Sequence, residues 1–182
     1  YWLHMQMFRF LKQQFPQVKS SLHAGELKLG LVAPEDLNWH IRAAVEIAGA
    51  DRIGHGVDIA HEADPYRLLA LLADRNVAVE INLESNAFIL GVEGPEHPFM
   101  FYYRANVPLV ISTDDAGVLR TNLTAQYVRL AQDYPALSYR EIKRLVYNGI
   151  NYSFLNVNSK RTLINKLNQA FQSFETTVIR QW

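Results

Sequence analysis

Four stretches of the sequence end an apolar segment with side chains that can bind metals or transfer protons. They are His23 and Glu26, then His55, then Glu84, Ser85 and Asn86, then Asp114 and Asp115. Imidazole and carboxylate groups without thiolates suit catalytic zinc, which keeps one coordination position open for water. Bound zinc lowers the pKa of that water towards about 7 and makes hydroxide available. These residue types indicate a hydrolytic metal site, provided that the fold brings them together.

Each stretch also has a structural explanation when it is taken alone. A lone histidine such as His23 is more often a hydrogen-bonded structural residue than a ligand. Asp114 and Asp115 could cap the following helix, the glycines around His55 could form a turn, and Asn86 could hold a loop. These separate explanations leave one observation unexplained, which is that all four stretches lie at predicted strand ends.

Strands and helices alternate along the chain. The sequence predicts a first helix that ends at Pro16 and a second that begins at Pro34 and ends at Gly49. A third helix begins at Pro65 behind an Asp64 cap. A further helix runs through "HPFMFYYRAN", and a capping box of Ser138 and Glu141 begins another in the tail. The four predicted strands lie in "VKSSLHAGE", "DRIGHG", "NVAVEINLESN" and "VPLVISTDD".

This alternation predicts a parallel sheet, because a crossover helix returns each strand in the same direction. The polar strand ends recur at about 30 residues or twice that, the length of a βαβ unit. Such spacing is typical of a (β/α)8 barrel, whose active site lies at the C-terminal ends of the strands. An open doubly wound sheet is the alternative, but no Gly-x-Gly-x-x-Gly turn follows a strand.

The predicted fold is therefore α/β, the C-terminal half of a TIM-type barrel with extra C-terminal helices. We expect one partial domain over residues 1–182, of which 156–182 form a helical extension. Four strands cannot close an eight-stranded barrel.

Composition narrows the range of partners. Hydrophobic residues make up 49% of the chain and charged residues 20%, which is typical of a globular protein. Eighteen basic residues balance eighteen acidic ones, so we expect neither nucleic acid nor a membrane as partner. Cysteine is absent, which excludes disulfides and thiolate metal sites. Cytoplasm is the default compartment, and a periplasmic or secreted location stays open.

The motifs "HAGE", "RIGHG", "SNAFILG…EHPF" and "STDDAG", in this order and spacing, resemble the adenosine deaminase family of metal-dependent amidohydrolase barrels. The likeness runs from about residue 15 to 155 and covers the second half of the family's barrel. It implies that His23 and Asp114 are ligands of one Zn²⁺ ion. It also implies that Glu26 protonates purine N1 while hydroxide attacks C6, and that His55 orients and activates this hydroxide.

The same resemblance implies substrate contacts. Asp115 would bond purine N7, and Gly25 would leave room for the base to lie close. Family members take two further zinc ligands from a His-x-His on their first strand, and no His-x-His occurs here. Of the isolated histidines, only His97 lies in a family motif, where it looks structural. We therefore expect an N-terminal half of the same protein, missing or present as a separate chain.

The implied activity is zinc-dependent deamination of adenosine or deoxyadenosine to inosine or deoxyinosine and ammonia, with this chain supplying part of the active site. One alternative is a catalytically incomplete purine-binding or assembly module. Another is a related aminohydrolase that acts on AMP, adenine or a modified adenosine. AMP would need a cationic phosphate cradle, which this sequence does not evidently supply.

Overall fold

The computed structural model describes residues 1–181 and contains a parallel sheet of four strands. These are β1 (Ser21–Ala24), β2 (Arg52–His55), β3 (Ala78–Ile81) and β4 (Leu109–Ile111). The strands pair in chain order, all in parallel, so that within this part of the chain β1 and β4 each have one neighbour. The predicted parallel sheet and its four strands are confirmed.

Helices follow the strands as the alternation predicts. They are α1 (Trp2–Gln14), α2 (His40–Glu46), α3 (Pro65–Asp74), α4 (Leu83–Leu90), α5 (Phe99–Arg104), α6 (Ala116–Leu119), α7 (Leu123–Asp133), α8 (Tyr139–Asn151) and α9 (Val157–Gln181). Short 3₁₀ helices span Pro34–Leu37, Ile59–His61 and Gly94–Glu96. The predicted extension over 156–182 contains α9, and Trp182 lies outside the described residues.

One face of the sheet is covered by helices and forms the hydrophobic core. The core joins fully buried strand residues to the inner sides of α2, α3, α5 and α8, through Ile53, Val79, Ile81, Ile41, Leu68, Leu72, Phe99, Tyr102 and Leu145. Residues of β1 alternate between exposed and buried, so Ser21 and His23 point to the opposite, open face. Between the two next strands, Arg52 Nε of β2 donates to Glu80 Oε1 of β3 over 2.8 Å. The candidate ligand His23 therefore lies on the face that the helices leave uncovered.

Local hydrogen bonds explain where several helices begin. The side chain of Asp64 accepts from Arg67 N at 3.2 Å, and Ser138 and Glu141 form a complete capping box. Both predicted caps are confirmed. Among the helices of residues 1–181, none is both long enough and apolar enough to cross a membrane.

The prediction of one continuous helix from Pro34 is wrong. A 3₁₀ turn ends at Leu37, and α2 starts afresh at His40. Glu62 Oε1 accepts from the backbone N–H groups of Ile41 and Arg42 at 2.7 and 3.1 Å. These bonds satisfy donors that a helix leaves free at its start, so the carboxylate fixes the beginning of α2.

The prediction of a strand that continues to Asn86 is also wrong. Strand β3 ends at Ile81, and α4 begins two residues later and closes at Gly91, which has φ +63°. Leu83, Asn86 and Leu90 are buried at helical spacing, so packing of one helix face overrides the extended pattern. Ser85 and Asn86 thereby turn towards the ends of the neighbouring strands.

Candidate active site

The C-terminal ends of β1 and β2 bring His23, Glu26 and His55 into contact. His23 Nε2 lies 3.3 Å from Glu26 Oε2, and His55 Nδ1 lies 3.4 Å from Glu26 Oε1. The two imidazole rings are 4.5 Å apart between centroids. Parallel pairing of Ala24 with His55 places both strand ends at one edge of the sheet. The convergence predicted for these three residues is confirmed.

Asp114 reaches the same cluster from the end of β4. Its Oδ2 lies 3.8 Å from His55 Nε2 and accepts a hydrogen bond from Ser85 Oγ at 2.7 Å. The backbone of Asp114 has φ +53°, an uncommon conformation for a residue other than glycine. With this backbone conformation the carboxylate lies beside His55 and Ser85.

The donor set of this cluster fits a divalent metal. His23, Glu26 and His55 each offer a ligand atom, and these atoms lie within 4.8 Å of one another. Asp114 adds a carboxylate on the far side of His55. Imidazole and carboxylate donors suit zinc, and the 66% exposure of the His23 side chain leaves room for further ligands. That His23 and Asp114 are the ligands stays a prediction.

Burial raises the pKa of Glu26. Desolvation is the largest cause, the neighbouring charge of His23 opposes it, and the negative charge of Asp114 adds to it. Asn86 Nδ2 donates to Glu26 Oε1 over 3.3 Å. Glu26 therefore holds its proton to higher pH than an ordinary glutamate, which suits a group that must donate a proton.

His55 is held neutral and fixed in place at the end of β2. The residue is 3% exposed, and burial, followed by the charge of His23, lowers its pKa. Its backbone has φ +74°, and Gly56 follows at φ +60°. A Cβ at Gly56 would lie 2.4 Å from the hydroxyl of Tyr102, which donates to the Gly56 carbonyl at 2.6 Å. The glycine turn that the sequence offered as an alternative is present, and it positions the imidazole.

Gly25 has a structural requirement of its own. It is buried with φ +73°, and a Cβ there would lie 2.4 Å from Asp58 Oδ1 and 2.8 Å from Ile41 Cγ1. The space beside Gly25 is therefore occupied by the protein itself. Its predicted role of leaving room for a base stays a prediction, since the backbone alone already demands glycine.

Asp115 precedes α6 and is exposed. Within residues 1–181 its side chain makes no capping hydrogen bond to that helix, so the capping explanation of the aspartate pair is wrong. Asp115 is close enough to the cluster for its charge to raise the pKa of Glu26 and to oppose the lowering at His55. Its predicted contact with purine N7 stays a prediction.

Sequence reasoning missed how Asn82, Asn86 and His97 contribute. Asn82 Nδ2 and Asn86 Nδ2 lie 3.2 and 3.0 Å from His55 Nδ1, and His97 Nε2 lies 3.1 Å from Asn86 Oδ1. The loop-holding explanation of Asn86 and the structural interpretation of His97 are thus incomplete. The signal was the four-residue spacing of Asn82 and Asn86, which places both amides on one side of a helix start.

The parallel strands and the covering helices form half of a TIM-type barrel, and the imidazole–carboxylate cluster lies at the C-terminal ends of its strands. The chain belongs to the adenosine deaminase family, whose sequence model matches residues 4–170. The predicted family is confirmed.

Individual relatives agree with this assignment. The chain is 35% identical over 153 residues to an adenosine deaminase of Enterococcus faecalis, covering 83% of this chain and 41% of that protein. The N6-methyl-AMP deaminase of Arabidopsis thaliana superposes with a TM-score of 0.70 at 26% identity, over 89% of this chain and 43% of that one. The fold alone is shared with an amidohydrolase of Burkholderia ambifaria with bound Zn, which superposes with a TM-score of 0.69 at 19% identity, over 92% of this chain and 44% of that one. The chain thus spans about 40% of the length of the curated relatives it matches.

Proposed function

We propose that this chain supplies the C-terminal half of the active site of a zinc-dependent aminohydrolase. The proposed reaction converts adenosine or deoxyadenosine to inosine or deoxyinosine and ammonia. One observation carries the proposal, which is that Glu26, a carboxyl with a raised pKa, lies within 3.4 Å of both His23 and His55 in a chain of the adenosine deaminase family.

Glu26 is the proposed proton donor. Purine N1 is a hydrogen-bond acceptor, so a carboxyl that meets it must carry a proton. Protonation of N1 makes C6 more electrophilic, and after addition of water the amino group leaves C6 as ammonia. Desolvation of Glu26 beside the acidic residues of the cluster supports this protonation state.

His23 and Asp114 are the proposed ligands of one zinc ion, which when bound would make hydroxide available at neutral pH. His55 would orient the attacking oxygen, because its Nε2 lies on the side of Asp114. Asp115 and Gly25 would contact the base, the first at N7. Ser85 holds the Asp114 carboxylate through its hydroxyl and so limits the positions that the carboxylate can take.

The remaining strands and ligands would come from an N-terminal part of the same protein. The relatives are more than twice as long as the segment that matches, and β1 has a single strand neighbour within residues 1–181. His23 faces the open side of the sheet, where further ligands could approach it. The cytoplasm is the proposed compartment, which cell fractionation would test.

The test is ammonia release from adenosine by the complete enzyme, with zinc content measured by elemental analysis. Glu26→Gln should lower kcat by on the order of 10²- to 10⁴-fold, because the amide cannot donate an acidic proton. Glu96→Gln, an exposed change outside the cluster, is the matched control. Near-normal turnover of Glu26→Gln would contradict the proton role.

The same assay separates the alternatives. Comparing kcat/KM for adenosine, deoxyadenosine, adenine, AMP and N6-methyl-AMP identifies the substrate. Purine binding without ammonia release by a zinc-loaded complete enzyme would indicate a binding module in place of an enzyme.

A further inference from the structure

A chain of buried hydrogen bonds connects a backbone amide behind the site to the imidazole of His55. Phe99 N donates to His97 Nδ1 over 3.2 Å, and His97 Nε2 lies 3.1 Å from Asn86 Oδ1. Asn86 Nδ2 in turn lies 3.0 Å from His55 Nδ1. His97 is 2% exposed and Asn86 is fully buried, so water does not compete for these groups. The bonds form one continuous path from the start of α5 to the candidate catalytic ring.

The first donor fixes the direction of every bond that follows. A backbone N–H can only donate, so His97 Nδ1 accepts, and the neutral ring carries its proton on Nε2. That N–H needs an acceptor, which turns Asn86 Oδ1 towards His97 and the amide nitrogen towards His55. An amide nitrogen can only donate, so His55 Nδ1 accepts. The proton of neutral His55 is then on Nε2.

Three further observations support this assignment. Burial lowers the pKa of His97 to about 4, so its ring carries a single proton near neutral pH. Asn82 offers a second amide nitrogen, 3.2 Å from the same Nδ1 of His55. Asn86 has one more N–H, and it meets Glu26 Oε1 at 3.3 Å. The amide of Asn86 therefore contacts both proposed catalytic groups at once.

We infer that His97 and Asn86 are positioning residues that hold His55 as its Nε2–H tautomer. His55 Nε2 lies on the side of Asp114, 3.8 Å from Oδ2. In this form the ring offers a hydrogen-bond donor to an oxygen placed there and cannot take a proton from it through Nε2. His55 thus acts on the attacking oxygen by donating to it, not as a base. This role rests on the proposed function, whereas the tautomer is a property of these residues alone.

Ring-nitrogen NMR of the complete enzyme tests the tautomer directly. The enzyme is labelled with ¹⁵N-histidine, measured with and without zinc, and assigned with His55→Gln and His97→Gln. At both His55 and His97 we expect a pyridine-like Nδ1 and a pyrrole-like Nε2. A pyrrole-like Nδ1 at His55 in the wild-type enzyme would overturn the inference. Because this readout needs no turnover, a missing deaminase activity would refute the proposed function separately.

Variants test the two positioning residues. Asn86→Asp offers only acceptors, so His55 should change to its Nδ1–H tautomer. The kcat should then fall by on the order of 10²- to 10⁴-fold with a small change in KM. Asn106→Asp, an exposed change outside the site, should leave the tautomer and kcat as they are. An unchanged tautomer and kcat in folded Asn86→Asp would contradict the inference.

A second pair of variants decides the matter if Asn86→Asp does not fold. His97→Gln keeps an N–H donor near the position of Nε2 and should preserve the His55 tautomer and most of the activity. His97→Phe removes that donor, frees the Asn86 amide to turn over, and should give a mixture of His55 tautomers with reduced kcat. Equal spectra for the Gln and Phe variants would refute a positioning role for His97.

Discussion

Replacing Asp58 by asparagine should stabilise the protein at neutral and alkaline pH. Asp58 is 1% exposed, and within residues 1–181 neither of its carboxyl oxygens has a hydrogen-bond partner. Burial, followed by the negative charge of Glu62, raises its pKa from 3.8 to about 7. Burial, followed by the negative charge of Asp58, raises the pKa of the Tyr102 and Tyr1 hydroxyls. Because the carboxyl is enclosed by this chain itself, other polypeptide of the complete protein cannot reach it.

The magnitude follows from the two pKa values of Asp58. Each pKa unit corresponds to about 1.4 kcal/mol, so a rise from 3.8 to about 7 corresponds to about 4 kcal/mol. The folded state binds the proton more tightly than the unfolded state. The contribution of the protonated Asp58 side chain to the free energy of unfolding is therefore complete below about pH 4 and is lost as the pH rises to about 7. An asparagine stays neutral throughout and does not lose this contribution.

Urea unfolding of the complete protein between about pH 4 and about pH 8 measures this difference. The free energy of unfolding of Asp58→Asn should exceed that of the wild type by about 4 kcal/mol more at the alkaline end than at the acidic end. Asp74→Asn, at the exposed end of α3, is the matched control and should show no such trend. A constant difference between Asp58→Asn and wild type across this range would refute the reasoning.

Three further substitutions test the scaffold of the site by thermal unfolding of the complete protein. Gly25→Ala should lower the free energy of unfolding by about 2–5 kcal/mol, because it places a Cβ at a positive φ and 2.4 Å from a carboxyl oxygen. An unchanged Tm with a raised KM would instead favour a role in substrate binding. Tyr102→Phe should cost about 1–2 kcal/mol, since it leaves a buried carbonyl of the His55 turn without its donor, and an unchanged Tm would contradict this. Ser138→Ala should cost about 1 kcal/mol by removing the cap of α8 and should leave kcat unaltered.

The strand–helix alternation of this fold can be predicted from the sequence, because interactions between residues close in the chain determine it. Asp64 and Ser138 form their caps with residues three positions away, and such contacts can be identified in the sequence. The start of α2 at His40 cannot be predicted in this way, because Glu62, about 20 residues further along the chain, accepts from the backbone N–H groups at the beginning of this helix. Likewise, the apolar run ahead of Asn86 has no local mark that separates the end of β3 from the start of α4. The buried face that decides it arises only in the folded chain.

In the candidate site, too, some features can be predicted from the sequence, and others depend on contacts that form only in the folded chain. The convergence of His23, Glu26 and His55 was expected because parallel strands end at one edge of a sheet. The connection of His97 to Asn86 could not be expected, since it depends on how the segment between α4 and α5 folds back onto α4. Nor does the sequence reveal that Asp58 is buried without a partner.

The left-handed backbone conformations of His55 and Asp114 have a consequence for any stability selection on this protein. Glycine would adopt these φ values of +74° and +53° with less strain than either residue. His55 is buried and accepts hydrogen bonds from two amides, so glycine there would leave a cavity, whereas the Asp114 side chain is 28% exposed. A saturation library screened only for folding should therefore enrich glycine at Asp114, while one screened for turnover should retain the aspartate. The difference between the two enrichment profiles would measure how much folding free energy the protein gives up for its chemistry.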